Sequence, residues 1–218
     1  MSYISYADLG GKSGFGPVVP EPEGEHFHAV WEPRAMALAL AMGATGSWNL
    51  DMSRAARETL PNYRDLSYYE IWFEALQKLL EERGLVHPDE IATARALHPA
   101  LPLQRVLQAS DVPKVLATGA PTERTATAPA QFAAGQVVRA YSGQVPHHTR
   151  LPGYVRGKCG VIERVHGMHV FADANALGHA GPAQWLYTVV FAGATLWREP
   201  ASDGQVSIDA WEPYLEAA

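Results

Sequence analysis

From residue 27 to about 110, apolar positions recur at helical spacing. Trp31, Met36, Leu38, Leu40 and Met42 fall in one segment, with Pro33 in a first-turn position and Gly43 at its end. No charge lies between residues 35 and 42, so the expected helix is apolar nearly all round. Such a helix has to be buried, in a core or under another subunit. A second helix is expected to open at Asn49 or Asp51 and to run through Leu60, where Pro61 stops it. The third has the clearest boundaries, because Ser67-x-x-Glu70 is a capping box and Gly84 a stop. Along it Tyr68, Trp72, Leu76, Leu79 and Leu80 make a single apolar stripe. A fourth begins around Pro88-Asp89-Glu90.

From Gln131 the period shortens towards two. The runs 137–141, 160–165, 169–171, 186–191 and 206–210 have strand length and are bounded by Gly, Pro, Asn or Asp. Short strands this close together predict a small antiparallel barrel and argue against a parallel sheet. Two segments lack either period. Residues 1–26 are rich in Gly and Pro and are expected as an extended arm. Its Tyr3, Ile4, Tyr6, Leu9 and Phe15 are poor choices for a solvated tail, which leaves open that it lies along its own body or a partner. Residues 111–130, Ala-, Thr- and Pro-rich, read as a linker. The division is therefore arm 1–26, helical domain 27–110, linker 111–130 and β domain 131–218.

Composition narrows the chemistry. Of 218 residues 47% are apolar and 18% charged, which is ordinary for a globular chain. Lys+Arg 17 against Asp+Glu 23 gives −6, a poor balance for neutralising phosphates. The single cysteine, Cys159, can form neither an internal disulfide nor a thiolate cluster, and fits a reducing compartment. The run 35–44 is far shorter than the roughly 20 apolar residues that span a bilayer. MSYISYADLGG has neither the basic nor the apolar part of a secretory signal, so a cytoplasmic chain is expected.

The familiar catalytic motifs are absent: there is no phosphate loop, no Rossmann fingerprint, no nucleophile elbow, no Cys-x-x-Cys and no His-Glu-x-x-His. Cys159, between Lys158 and Gly160, reads as a small buried apolar group. His147 and His148, if in a strand, point to opposite faces, and His166 with His169 lacks a third ligand. Arg139, Arg150, Arg156 and Lys158 form a basic run beside Tyr154 with no acid among them. It reads either as a solvated hairpin or as a strip that binds an anion or nucleic acid. Arg54 is open in the same way, a surface arginine or a planar fork for an oxyanion.

Read together, the motifs resemble the β subunit of nitrile hydratase. They are Asp8-Leu9-Gly10-Gly11 with Gly14-Phe15-Gly16-Pro17, Trp31-Glu32, Leu50-Asp51-x-x-Arg54 and Tyr68-Tyr69-Glu70 with Trp72. The series continues through the segment from His148-Thr149-Arg150 to Lys158, Leu186-Tyr187-Thr188-Val189, Leu196-Trp197 and Trp211-Glu212-Pro213-Tyr214-Leu215. The resemblance implies an α+β chain whose C-terminal part is an SH3-like β-barrel. It implies hydration of nitriles to amides together with an α subunit, as an obligate heterodimer or heterotetramer. A non-corrin cobalt or non-haem iron would be held by oxidised cysteines of that subunit, and this chain would bind no metal. By motif position, Arg54 and Arg150 match the arginines that hydrogen-bond those oxidised sulfurs. Tyr68, Trp72 and Leu50 match substrate-pocket positions. His147 departs from the family's usual glycine, Ser53 from a larger apolar residue, and the linker is short. The alternatives are a related thiocyanate or carbonyl sulfide hydrolase and a non-enzymatic β-barrel that binds an anion or RNA.

Overall fold

The computed structural model describes residues 3–179, 181–197 and 203–218. The chain divides into two compact units: Ile4–Ala7 with Ser13–Gly119, and Met1–Tyr3, Asp8–Lys12 with Ala120–Ala218. The first is helical and the second is built on an antiparallel sheet, so the architecture is mixed α and β. No helix among the described residues is long and apolar enough to cross a membrane.

In the helical unit the elements are α1 (Glu32–Gly43), α2 (Leu50–Glu58), α3 (Tyr68–Glu82), α4 (Pro88–Thr93) and α5 (Val112–Thr118). Local chemistry sets their ends. Asn49 caps α2 by accepting from the Met52 amide at 2.9 Å. Ser67 and Glu70 form the expected capping box of α3, and Gly84, at φ +64°, turns the chain away after it. Trp48, Ala56, Leu60, Ala75, Leu76 and Leu79 make the core, against which Ala39 and Met42 of α1 pack. The charge-free α1 is covered on one face only, since Ala35 is buried while Ala37 and Leu38 stay exposed. The segment expected as a linker carries α5 and the first strand.

The sheet unit contains β1 (Glu123–Arg124), β2 (Val137–Ala140), β3 (Cys159–His169), β4 (Gln184–Ala192), β5 (Gln205–Trp211) and β6 (Leu215–Ala217), with short helices α6 (Ala172–Ala176) and α7 (Gly193–Trp197). The order is β5-β4-β3-β2-β6, all antiparallel, with β1 added against the end of β3. Tyr187, Val189 and Phe191 alternate inward along β4 and meet Val138, Ile162 and Ala210 in one core. Gly160 is required there, because a Cβ would come within 2.8 Å of Val189 Cγ1 and 2.9 Å of the Val190 carbonyl. The runs 160–165 and 169–171, expected as separate strands, differ from the structure. β3 is one strand whose register slips between Ile162 and Arg164 and again between Val165 and Gly167. The outer strands β5 and β6 are not paired with each other among the described residues, so the pairing is that of an open sheet.

Part of the arm is ordered against its own chain. In the helical unit the Tyr6 amide donates to the Glu58 carbonyl at 2.7 Å, and Arg64 lies 4.6 Å over the Phe15 ring while bonding the Gly14 carbonyl. In the sheet unit Asp8 accepts from the Gly153 amide at 2.9 Å. Gly11, at φ +75°, packs so closely on Trp197 that a Cβ would stand 2.5 Å from its ring. Residues 16–26 are exposed, and residues 1 and 2 of the expected arm lie outside the described residues.

Candidate functional site

The helical unit brings two arginines and an aromatic group together on α2 and α3. Asp51, buried in the first turn of α2, accepts from Arg54 Nη1 at 3.1 Å and so fixes a guanidinium that is about a third exposed. One turn on, Arg57 donates from Nη2 to Ser53 Oγ at 3.0 Å. Its guanidinium carbon lies 4.3 Å over the Trp72 ring, a cation–π contact. Burial lowers the Arg57 pKa from its ordinary value; the Tyr68 hydroxyl counteracts this and the Arg54 charge adds to it.

Tyr68 opens α3 with 63% of its surface exposed, its ring 5.8 Å from Trp72 and 5.1 Å from Tyr69. Tyr69 is buried instead, against Phe27 and with its hydroxyl on Met36 Sδ. The apolar stripe read from the sequence therefore splits. Leu76 and Leu79 enter the core, whereas Tyr68 at its start faces outward. Leu50, 48% exposed, sits at the first turn of α2.

In the sheet unit Arg150 is exposed, and the fold holds its backbone amide. The Arg150 amide donates to the Tyr214 hydroxyl at 3.0 Å, and that hydroxyl donates to the buried carboxylate of Asp173. Burial pushes the Asp173 carboxyl above its usual range, opposed by hydrogen bonds from Tyr214 and Thr149. Tyr214 is raised by burial first and by Asp173 second. His148 is buried next to this network, with Nδ1 3.5 Å from the Tyr3 hydroxyl.

In the basic run two arginines bond backbone carbonyls. Arg156, read as a surface residue, turns inward and donates to the carbonyls of Gly143 and Leu151 at 3.0 and 3.3 Å. Arg139 donates to the Gly157 carbonyl at 3.3 Å. Backbone oxygens thus take two donors of Arg156 and one of the exposed Arg139.

The histidines and the cysteine do not form a ligand set. His147 and His148 lie in a loop, not a strand. His166 bonds Thr188 Oγ1 at 2.6 Å while His169 bonds Thr122 Oγ1 at 3.0 Å. Cys159, half-buried, opens β3 opposite Arg139. Among the described residues no group of three or more His, Cys, Asp or Glu is placed to hold a metal ion. Sequence reasoning missed Arg57, Tyr214 and Asp173. The i, i+3 spacing of Arg54 and Arg57 was the available sign for the first of them.

Two family profiles match the chain: nitrile hydratase beta subunit, N-terminal, over residues 4–117, and nitrile hydratase beta subunit, C-terminal, over residues 121–217. The chain belongs to the nitrile hydratase beta subunit family. It is 38% identical over 218 residues to the low-molecular weight cobalt-containing nitrile hydratase subunit beta of Rhodococcus rhodochrous, covering 95% of this chain and 96% of that one. The nitrile hydratase subunit beta of Pseudomonas putida is 34% identical, with 97% and 98% covered. The cobalt-containing subunit beta of Pseudonocardia thermophila is 30% identical, with 96% and 94% covered. A chain of the recombinant apo-enzyme of thiocyanate hydrolase from Thiobacillus thioparus superposes with a TM-score of 0.42 at 28% identity, over 52% of this chain and 99% of its own. Arg54, Tyr68 and Trp72 lie in the N-terminal nitrile hydratase match, and Arg150 lies in the C-terminal one.

Proposed function

We propose that the chain works as the β subunit of a heteromeric nitrile hydratase, hydrating nitriles to amides together with an α subunit that carries the metal. The observation that carries this reading is the near full-length 38% identity to a cobalt-containing nitrile hydratase subunit beta. Among the described residues no donor set is placed to hold a metal ion; the proposal assigns cobalt or iron to the α subunit and expects no activity from this chain alone. In that subunit the metal supplies Lewis-acid polarisation or an activated water.

The part of this chain is to hold acceptors. Arg54 and Arg150 each present a permanently charged planar donor fork, suited to the oxygens of oxidised thiolates. Asp51 holds Arg54 from the side chain, and Tyr214 with Asp173 holds the Arg150 backbone. Tyr68, Trp72 and Leu50 supply the substrate-facing wall, and the exposure of Tyr68 supports that role over core packing. The proposal includes the cytoplasmic setting, the division at residues 26, 110 and 130, and closure of the sheet into an SH3-like barrel. The two register slips in β3 favour such curvature.

Co-expression with a nitrile hydratase α subunit from the same genome, followed by metal analysis and an amide-release assay, tests the reading. The expected result is a purified complex containing cobalt or iron that converts nitriles to amides, with this chain inactive alone. A metal-loaded complex that leaves every nitrile unchanged overturns it.

A further inference from the structure

Arg57 differs from its neighbour in how its charge is met. The Arg54 guanidinium has the buried carboxylate of Asp51 at 3.1 Å. Arg57 has no ion pair among the described residues: the flat face covers Trp72 and Nη2 bonds a serine hydroxyl. Its Nη1 makes no hydrogen bond among the described residues, and its Nε is buried without one. Buried donors in native proteins are almost always satisfied, so this guanidinium is short of acceptors. The shortage is electrostatic too, because Arg54 adds a second positive charge close by and burial strips water from the first. A guanidinium stacked on an indole keeps its in-plane N–H groups clear of the ring, and with Nε buried and Nη2 on Ser53, Nη1 is the donor left to bind an oxyanion.

We propose that Arg57 is a specificity-determining residue that receives a carboxylate at the far end of the substrate, so that the favoured nitriles are cyano-carboxylates. This rests on the hydratase reading, which makes Tyr68 and Trp72 the wall beside the substrate. Trp72 then has two tasks, to line the wall and to fix the guanidinium that selects at it. Ser53 contributes by bonding Nη2, which a larger apolar residue at that position does not do.

The test compares cyanopropanoate with butyronitrile in the assembled α–β complex, for the parent, Arg57→Leu and Arg57→Lys. The parent is expected to prefer cyanopropanoate in kcat/KM. In Arg57→Leu the ratio of the two kcat/KM values should fall at least about tenfold, the worth of one charge-assisted hydrogen bond. Arg57→Lys keeps the charge without the fork and should lie between. An equal ratio in all three proteins overturns the proposal. So does a parallel loss on both substrates or a complex that falls apart, since either result makes Arg57 a packing or interface residue. A parent active on butyronitrile but not on cyanopropanoate overturns it as well. A parent inactive on both overturns the proposal too, and a metal-loaded complex that leaves every nitrile unchanged overturns the hydratase reading itself, which keeps the two failures distinguishable.

Discussion

The helical and sheet units solve the same problem, how to hold an arginine, in opposite ways. On α2 the side chains are held: Asp51 fixes the Arg54 guanidinium, and Ser53 with Trp72 fixes that of Arg57. Around residues 141–158 the backbone is held instead. Tyr214 and Asp173 anchor the Arg150 amide and leave its side chain exposed, while Arg156 spends its donors on carbonyls of a loop that has no ladder of its own. A helix satisfies its interior backbone internally, so its arginines are available for ligands. A loop has orphan carbonyls, and one of its arginines is taken to satisfy them. Residue type alone therefore does not separate a structural arginine from a functional one; the acceptor does.

The sharpest way to break that contrast is Arg156→Ala. Two charge-assisted hydrogen bonds are lost from a half-buried group, and a destabilisation of about 2–4 kcal/mol is expected. For a chain of this size that lowers the melting temperature by about 5–15 °C. An unchanged melting temperature would place Arg156 back on the surface.

Next is Tyr214→Phe, which removes the link between Asp173 and the Arg150 amide at a cost of about 1–3 kcal/mol. The sign of its pH dependence follows from the carboxyl. Burial already raises Asp173 and the tyrosine hydrogen bond opposes that, so deletion raises it further. An acid raised above its unfolded value, about 3.9, supports folding below that pH and loses the support as pH rises through the folded value. The stability deficit of Tyr214→Phe should thus grow from acid to neutral pH in denaturant titrations, and a deficit that shrinks would contradict it.

A smaller effect marks a third kind of anchor, a carboxylate holding backbone. Glu90 accepts from the amides of His87, Leu97 and His98, which pulls its pKa down to about 2. For an acid lowered on folding, the support is present above about pH 4.5 and is lost as pH falls towards 2. Protection of the Leu97 and His98 amides, measured against the intrinsic exchange rate at each pH, should fall across that window, and Glu90→Gln should abolish the dependence.

How much of this the sequence carried depends on distance along the chain. The third helix was legible because Ser67, Glu70 and Gly84 mark its ends locally. The stripe on it misplaced Tyr68 because periodicity gives a face and not what covers that face. The strands β1 and β6, two and three residues long, are too short to show alternation. The break expected between residues 165 and 169 holds the second register slip, between Val165 and Gly167, which pattern reads as an end. Asp173 and Tyr214 stand 41 positions apart, and nothing local links them. Arg156 was misjudged since its acceptors are carbonyls, which every residue has. The positions of Arg54, Arg150, Tyr68, Trp72 and Leu50 came from motif resemblance, and geometry supplied Arg57 through its contact with Trp72.

In the proposed function Arg54 and Arg150 act on acceptors outside this chain, while Arg156 acts inside it. Arg54→Lys, Arg150→Lys and Arg156→Lys, each assembled with the α subunit, test it when amide release and melting temperature are measured side by side. The first two should lose at least about tenfold in rate with melting within about 2 °C of the parent, because lysine keeps the charge and loses the fork. Arg156→Lys should show the reverse, a clear fall in melting temperature and the smaller loss of rate. Equal, near-parental rates in all three complexes would contradict the account.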